Sequence, residues 1–225
     1  NSGQYAPRPD KSIPLAPQVG LVNGLAIYGS NMGTLIEVEA TAFPVEQGKG
    51  KLVITGIMEE EEMGGYGRTM RRKSMAKSSM DNVLTVMRQH LHTHPQDYDI
   101  HVNFPGGSPI DGPSAGIAMV TAIYSAITGR KVSNVVAMTG EVSIRGLVKP
   151  VGGVAAKLEA ARLAGVTRAI IPKDNWQAMF ANMEGMAVHG VERLEEVIGL
   201  ALLDEEKCAH ISKPAVSSGL LSASG

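Results

Sequence analysis

The chain holds a single cysteine, Cys208, so no disulfide can form within it; a disulfide scaffold is excluded and a reducing compartment is compatible. Aromatic residues are scarce at 4%, too few for a platform on which bases would stack. An excess of charge is also missing. Lys plus Arg number 21 against 22 for Asp plus Glu, a net charge of −1, so neither nucleic acid nor an anionic membrane is expected as a bulk electrostatic partner. No run approaches the roughly 18 apolar residues of a membrane span, and no signal-peptide pattern opens the chain. The first residue is Asn1 rather than Met, which leads us to expect a fragment, a processed chain or a trimmed one.

What is present describes a soluble globular protein: 44% hydrophobic and 19% charged residues, both ordinary proportions. With few aromatics, 12 Met and 26 Gly, the core has to be built from Val, Ile, Leu, Ala and Met. The length of 225 residues admits one large domain or two small ones. Residues 1–18 hold Pro7, Pro9, Pro14 and Pro17 without periodicity and read as an extended lead-in or linker. Residues 205–225, rich in Ser, Gly and Ala towards the end, read as a flexible tail. Between them lies a single expected domain, 19–204, without internal repeat or second core.

Strands are expected at 20–29 and 34–43, joined as a hairpin through Ser30-Asn31-Met32-Gly33, and at 51–56, 100–104, 135–144 and 168–172. Helices are expected at 74–92, where Met75, Met80, Val83, Leu84 and Met87 share a face, at 114–128, at 154–165 and at 191–204. The helix at 114–128 is apolar almost all round, the pattern of a helix buried within a domain. Strands come early and strand–helix units late, which predicts an α+β (mixed α/β) fold with small sheets packed against helices.

The most informative segment is FPGGSPIDGPSAG, 104–116. It brings Ser114 to the start of the buried helix, near unpaired main-chain amides and the positive end of a helix dipole. Two readings fit. Ser114 or Asp111 caps the helix, or Ser114 is a nucleophile beside an oxyanion hole of main-chain donors. The G-x-S-x-G spacing of GPSAG matches a hydrolase elbow, but that elbow needs a strand directly before the serine, and a loop of about ten residues is expected here. The phosphate-binding G-x-x-x-x-G-K-[ST] loop fails because Pro113 stands where its lysine must be. A glycine- and serine-rich turn opening a helix also suits the phosphate site of a small-molecule kinase, which would further require a nucleotide pocket and a magnesium carboxylate.

A serine nucleophile needs a base. His189 and His210 follow it in no recognisable catalytic setting, whereas Lys157 has Val154, Ala160, Ala161 and Ala164 at −3, +3, +4 and +7. Glu159 lies on another face and pairs more naturally with Arg162. A lysine so placed either snorkels outward or is buried with a depressed pKa. General-base work would require that pKa to fall from the ordinary lysine value towards neutrality. The Pro150-Val151-Gly152-Gly153 turn ahead of it suits a close approach between this helix and another backbone.

Together, DGPSAG at 111–116, MTGEVSIRGLVKPVGGVAAK at 138–157 and AGVTRAIIP at 164–172 resemble the proteolytic domain of Lon proteases, several motifs in order and at family spacing. IMEEEEMGGYGRTMRRKSMAKSS and YDIHVNFPGGSPIDGPSAG resemble the LonB type of bacteria in particular. The resemblance implies a serine endopeptidase with Ser114 as nucleophile and Lys157 as general base. It also implies Thr139 as the residue that positions the lysine, and Asp111 as an acid beside the site. His101 and Glu141 are further candidate neighbours; Asn103 stands where some members have histidine. No metal and no cofactor are implied for this domain, with ATP and magnesium belonging to an AAA+ ATPase part missing from the chain. The implied partners are unfolded polypeptides, that AAA+ domain of the same full-length chain and, in the full enzyme, a homo-hexamer. The implied location is cytoplasmic, with membrane association of the full-length protein left open. Other Lon branches carry an acid between the second strand and the first long helix; here that segment is expanded by Glu59 to Glu62.

Three further features have plainer readings. Arg68, Arg71, Arg72, Lys73 and Lys77 suggest a docking surface for an acidic partner, or a solvated loop and helix start near compensating glutamates. His90 and His94 have the spacing of a helical zinc pair, but Pro95 follows and no third ligand is evident, so a helix end is expected. Trp176 and Phe180, four apart, read as one packed helix face. A non-enzymatic copy of the fold is the other alternative, and the presence of both Ser114 and Lys157 argues against it.

Overall fold

The structure, a computed structural model, describes residues 12–28, 31–58, 75–109 and 112–204. In chain order the strands and helices are β1 (Gln18–Val19), β2 (Leu21–Tyr28), β3 (Met32–Pro44), β4 (Leu52–Met58), α1 (Met75–His90), β5 (Tyr98–Pro109), α2 (Gly116–Thr128), β6 (Lys131–Val132), β7 (Val136–Met138), β8 (Glu141–Val142), β9 (Val148–Lys149), α3 (Val154–Leu163), β10 (Arg168–Pro172), β11 (Ala187–Val191) and α4 (Leu194–Ala201). Seven strands form one mixed sheet in the order β11-β10-β7-β2-β3-β5-β4, and two small two-stranded pairs, β1-β6 and β8-β9, flank it. The fold is α+β.

Alternation along the strands decides which helices cover which face. On β2, β3, β7 and β10 the residues Val22, Ala26, Ile36, Val38, Val136, Met138 and Ile170 point into a large apolar cluster with α1, α2 and α4. Their neighbours Leu25, Leu35, Ala137, Ala169 and Ile171 point to the opposite face, where Val154, Leu158 and Ala161 of α3 cover them. The sheet is thus buried on both faces at its centre, giving two clusters where one core was expected. The α1 face is built by Met80, Val83 and Met87, all fully buried, at the helical spacing read from the sequence.

The expected hairpin is present, with β2 and β3 antiparallel from Leu21↔Glu39 to Tyr28↔Met32. Met32 and Gly33 are strand residues and not part of its connection. The strand expected at 135–144 is two short ones, β7 and β8, interrupted at Thr139 and Gly140. The helix expected to begin at Val191 begins at Leu194, because 187–191 form β11, parallel to β10 at the edge of the sheet. Trp176 and Phe180 do not share a helix: 3-10 turns occupy Lys173–Asn175 and Ala178–Asn182, with Phe180 buried and Trp176 partly exposed. The lead-in is anchored before residue 18, since Ile13 N–H donates to the Ala164 carbonyl at 3.2 Å and Asn134 Nδ2 donates to the Pro14 carbonyl at 2.8 Å. The expected tail, 205–225, lies outside the described residues. Among the described residues no helix is long and apolar enough to cross a membrane.

Candidate active site

The sequence delivers Ser114 through a 3-10 turn, Gly112–Ala115, that leads into α2. Ser114 is therefore not the first residue of the helix. Ala115, whose side chain cannot hydrogen-bond, occupies the capping position, so Ser114 stands one residue outside it. Strand β5 continues past Phe104 to Pro109, because Ser108 and Pro109 still pair with Ile57 and Met58 beyond a bulge. The strand thus extends well into the expected ten-residue loop, and the 3-10 turn Gly112–Ala115 still separates it from the helix, unlike the sharp strand-to-helix elbow.

The main chain of Ser114 is tied to the break in the former strand. Its carbonyl accepts the Gly140 N–H at 3.0 Å and the Thr139 hydroxyl at 3.3 Å. The Gly140 carbonyl in turn accepts the Ile117 N–H at 3.1 Å, and Thr139 N–H donates to the Ile170 carbonyl at 3.1 Å. Residues 139–140 spend their polar groups on α2, on the turn before it and on β10. That use of the backbone explains why one expected strand becomes two.

Lys157 completes the cluster from the other face of the sheet. It lies on α3 and is only 2% exposed, with Ser114 at 4% and Thr139 at 0%. Its Nζ donates to Thr139 Oγ1 at 3.1 Å. The lysine is buried rather than snorkelling. Glu159 is directed elsewhere: its carboxylate accepts two bonds from Arg162, at 2.7 and 3.0 Å, and those bonds hold its pKa below the ordinary carboxylate range. Ser114, Thr139 and Lys157 thus form one buried chain, ammonium or amine to hydroxyl to carbonyl.

Gly33, which sequence reasoning assigned to a connection, makes the helix approach possible. A Cβ there would lie 2.0 Å from the Ala156 carbonyl oxygen and 2.9 Å from the Lys157 nitrogen, so only glycine lets β3 run against α3 at this point. The close contact expected at Gly152-Gly153 is of a different kind: Gly153 packs on the Ile27 side chain. The detectable signal was a glycine inside an alternating strand, which often marks a close backbone approach.

The remaining candidates have contacts of their own or lie outside the described residues. His101 is exposed on β5, with Nε2 2.9 Å from Thr55 Oγ1; Thr55 donates to Asn103 Oδ1 at 2.7 Å, and Asn103 Nδ2 donates to Glu39 at 2.9 Å. Glu141 is half-buried on β8, directly after Gly140 and opposite Lys149. Asp111, Glu59 to Glu62 and the basic residues 68–73 lie outside the described residues, as does the side chain of Lys77. Helix α1 ends at His90, so His90 and His94 do not share a helical turn; His90 Nδ1 instead lies 3.5 Å from Glu195. Among the described residues no group of three or more His, Cys, Asp or Glu could hold a metal ion. His189 lines a shallow groove with Glu196 and Leu200 between β11 and α4. Partial burial, reinforced by Arg168, pushes its imidazole pKa down.

Comparison with known proteins agrees with the resemblance read from the motifs. Residues 3–204 match the family described as Lon protease (S16) C-terminal proteolytic domain. The chain is 50% identical to Lon protease 2 of Bacillus subtilis over 214 residues, 94% of this chain and 38% of that protein. It is 39% identical to Lon protease of Escherichia coli over 84% of this chain and 23% of that one. It is 36% identical to the archaeal Lon protease of Pyrococcus abyssi over 87% and 19% respectively. The chain therefore spans well under half the length of these relatives.

Proposed function

This chain belongs to the Lon protease (S16) C-terminal proteolytic domain family, and from that membership we propose that it is a serine endopeptidase working through a Ser114–Lys157 dyad. The observation that carries the reading is a lysine buried on an apolar helix face whose Nζ donates to Thr139 Oγ1 at 3.1 Å, the same hydroxyl that reaches the Ser114 carbonyl. Burial disfavours an ammonium and favours the neutral amine that a base must be. Neutral Lys157 takes the Ser114 hydroxyl proton as Oγ bonds to the scissile carbonyl carbon. The tetrahedral intermediate's oxyanion forms near the positive end of α2. It collapses as Lys157 returns the proton to the leaving amine, and an acyl-enzyme remains. A water then attacks the ester carbonyl with Lys157 again as base, releasing the acid and regenerating Ser114. Thr139 holds the amine in place between these transfers, and Asp111 is the acid expected beside the site.

In this reading residues 19–204 are the peptidase domain, between the lead-in 1–18 and the tail 205–225. The dyad needs no metal or cofactor. ATP and magnesium act in an AAA+ part of the full-length enzyme, which unfolds protein substrates and, as a hexameric ring, encloses the peptidase sites in the cytoplasm. The isolated chain accordingly hydrolyses short unstructured peptides and leaves folded proteins intact, with or without ATP.

The test is turnover of a fluorogenic peptide by the parent, Ser114→Ala and Lys157→Met. Both variants are expected to lose at least about 10³-fold in kcat. Lys157→Met roughly keeps the volume while replacing the buried amine by an apolar group, so its melting temperature should stay near the parent's and the kcat loss is not one of folding. Turnover by Lys157→Met within tenfold of the parent would exclude the lysine as base.

A further inference from the structure

Helix α3 carries Lys157, and its first flanking residue is Gly153, which offers no side chain to cap it. The fixing group comes from a different loop. Asn175, in the 3-10 turn after β10, accepts the Val151 N–H on Oδ1 at 2.8 Å and donates from Nδ2 to the Val151 carbonyl at 3.0 Å. Both main-chain groups of one residue are thus held by one amide, as a neighbouring β-strand would hold them. Two residues later Gly153 takes a left-handed φ of +67°, a conformation that glycine alone adopts without penalty. Its carbonyl accepts the Lys157 N–H at 3.0 Å, the first bond of the helix. From there Lys157 reaches Thr139, and Thr139 reaches Ser114.

We propose that Asn175 is a positioning residue for the peptidase reaction, its side-chain amide clamping Val151 and so setting where α3 starts and where the Lys157 amine lies relative to Ser114. The proposal rests on the Ser–Lys reading above. Asn175 lies 18 residues beyond Lys157 in sequence and is not offered as touching substrate. It acts through the turn 151–153. A bidentate clamp matters here because, among the described residues, no other side-chain hydrogen bond reaches the turn 151–153, and small displacements of a catalytic group cost rate steeply.

The experiment compares the 225-residue parent with Asn175→Ala and Asn175→Asp by peptide turnover and by amide hydrogen exchange. Asn175→Ala is expected to lose about 10- to 100-fold in kcat with KM within about twofold. Asn175→Asp keeps an acceptor for the Val151 N–H and loses only the donor, so it should recover a substantial part of that loss. In Asn175→Ala, exchange should rise at Val151 and Lys157 while the sheet and α2 keep their protection. The exchange arm needs no activity, so it reports on the clamp even where the Ser–Lys reading fails. Parent-like protection at Val151 and Lys157 in Asn175→Ala, or kcat within twofold of the parent, overturns the proposal. So does a kcat loss accompanied by a uniform loss of protection that Asn175→Asp does not relieve, the mark of a merely structural residue.

Discussion

Two short chains of polar side chains among the described residues are built in opposite ways. One runs from Lys157 to Thr139 to the Ser114 carbonyl, with all three residues at most 4% exposed. The other runs from Glu39 through Asn103 and Thr55 to His101 across β3, β5 and β4, on a face that solvent reaches. In the first, water is excluded, so loss of one member leaves the others without an equal substitute. In the second, water takes the place of any missing partner at little cost. The buried chain has the longer hydrogen bonds, at 3.1 and 3.3 Å against 2.7 to 2.9 Å. Burial, and not bond length, marks which chain can hold a reactive group in an altered state.

The sharpest way to break that comparison is to remove one hydroxyl from each chain without changing shape much. Thr139→Val deletes the acceptor for Lys157 Nζ and one of the donors to the Ser114 carbonyl. It should lower kcat by about 10- to 100-fold and cost about 1–3 kcal/mol of stability, read by peptide kinetics and denaturant unfolding. Thr55→Ala is the small end of the scale. Its stability should stay within about 0.5 kcal/mol of the parent, with kcat unchanged within about twofold. Equal effects at Thr55 and Thr139 would show that burial does not separate the two chains, and a large kcat loss at Thr55 alone would move the reaction centre towards His101.

Much of this was legible in the residues. The apolar positions of α1, the all-round apolar α2 and the alternation of β2 and β3 report their burial directly, because each follows the period of its element. Ser114 and Lys157 stood out by type and surroundings, the lysine because apolar residues flank it on its own helix face. Less legible was whatever depends on distant partners. The break at Thr139 and Gly140 arises from bonds to Ser114, Ile117 and Ile170, which no local propensity encodes. Strand β11 has no counterpart among the expected strands, and its last residue falls in the expected helix, since Val188-His189-Gly190-Val191 is short and interrupted by glycine. The choice between a snorkelling and a buried Lys157 was undecidable locally. It is decided by Gly33, far off in sequence, which lets β3 and α3 meet. Asn175 carried no signal in its own neighbourhood, because its partner Val151 lies in another loop.

The central claim is that burial makes Lys157 the base for Ser114. The most direct measurement is kcat for a fluorogenic peptide across pH 6 to 10. The expected profile rises with pH as the lysine loses its proton and levels off within this range, because burial disfavours the ammonium and pulls the titration below that of a solvated lysine. A profile flat across this range, or one still rising at pH 10 as an ordinary solvated lysine would give, would contradict it.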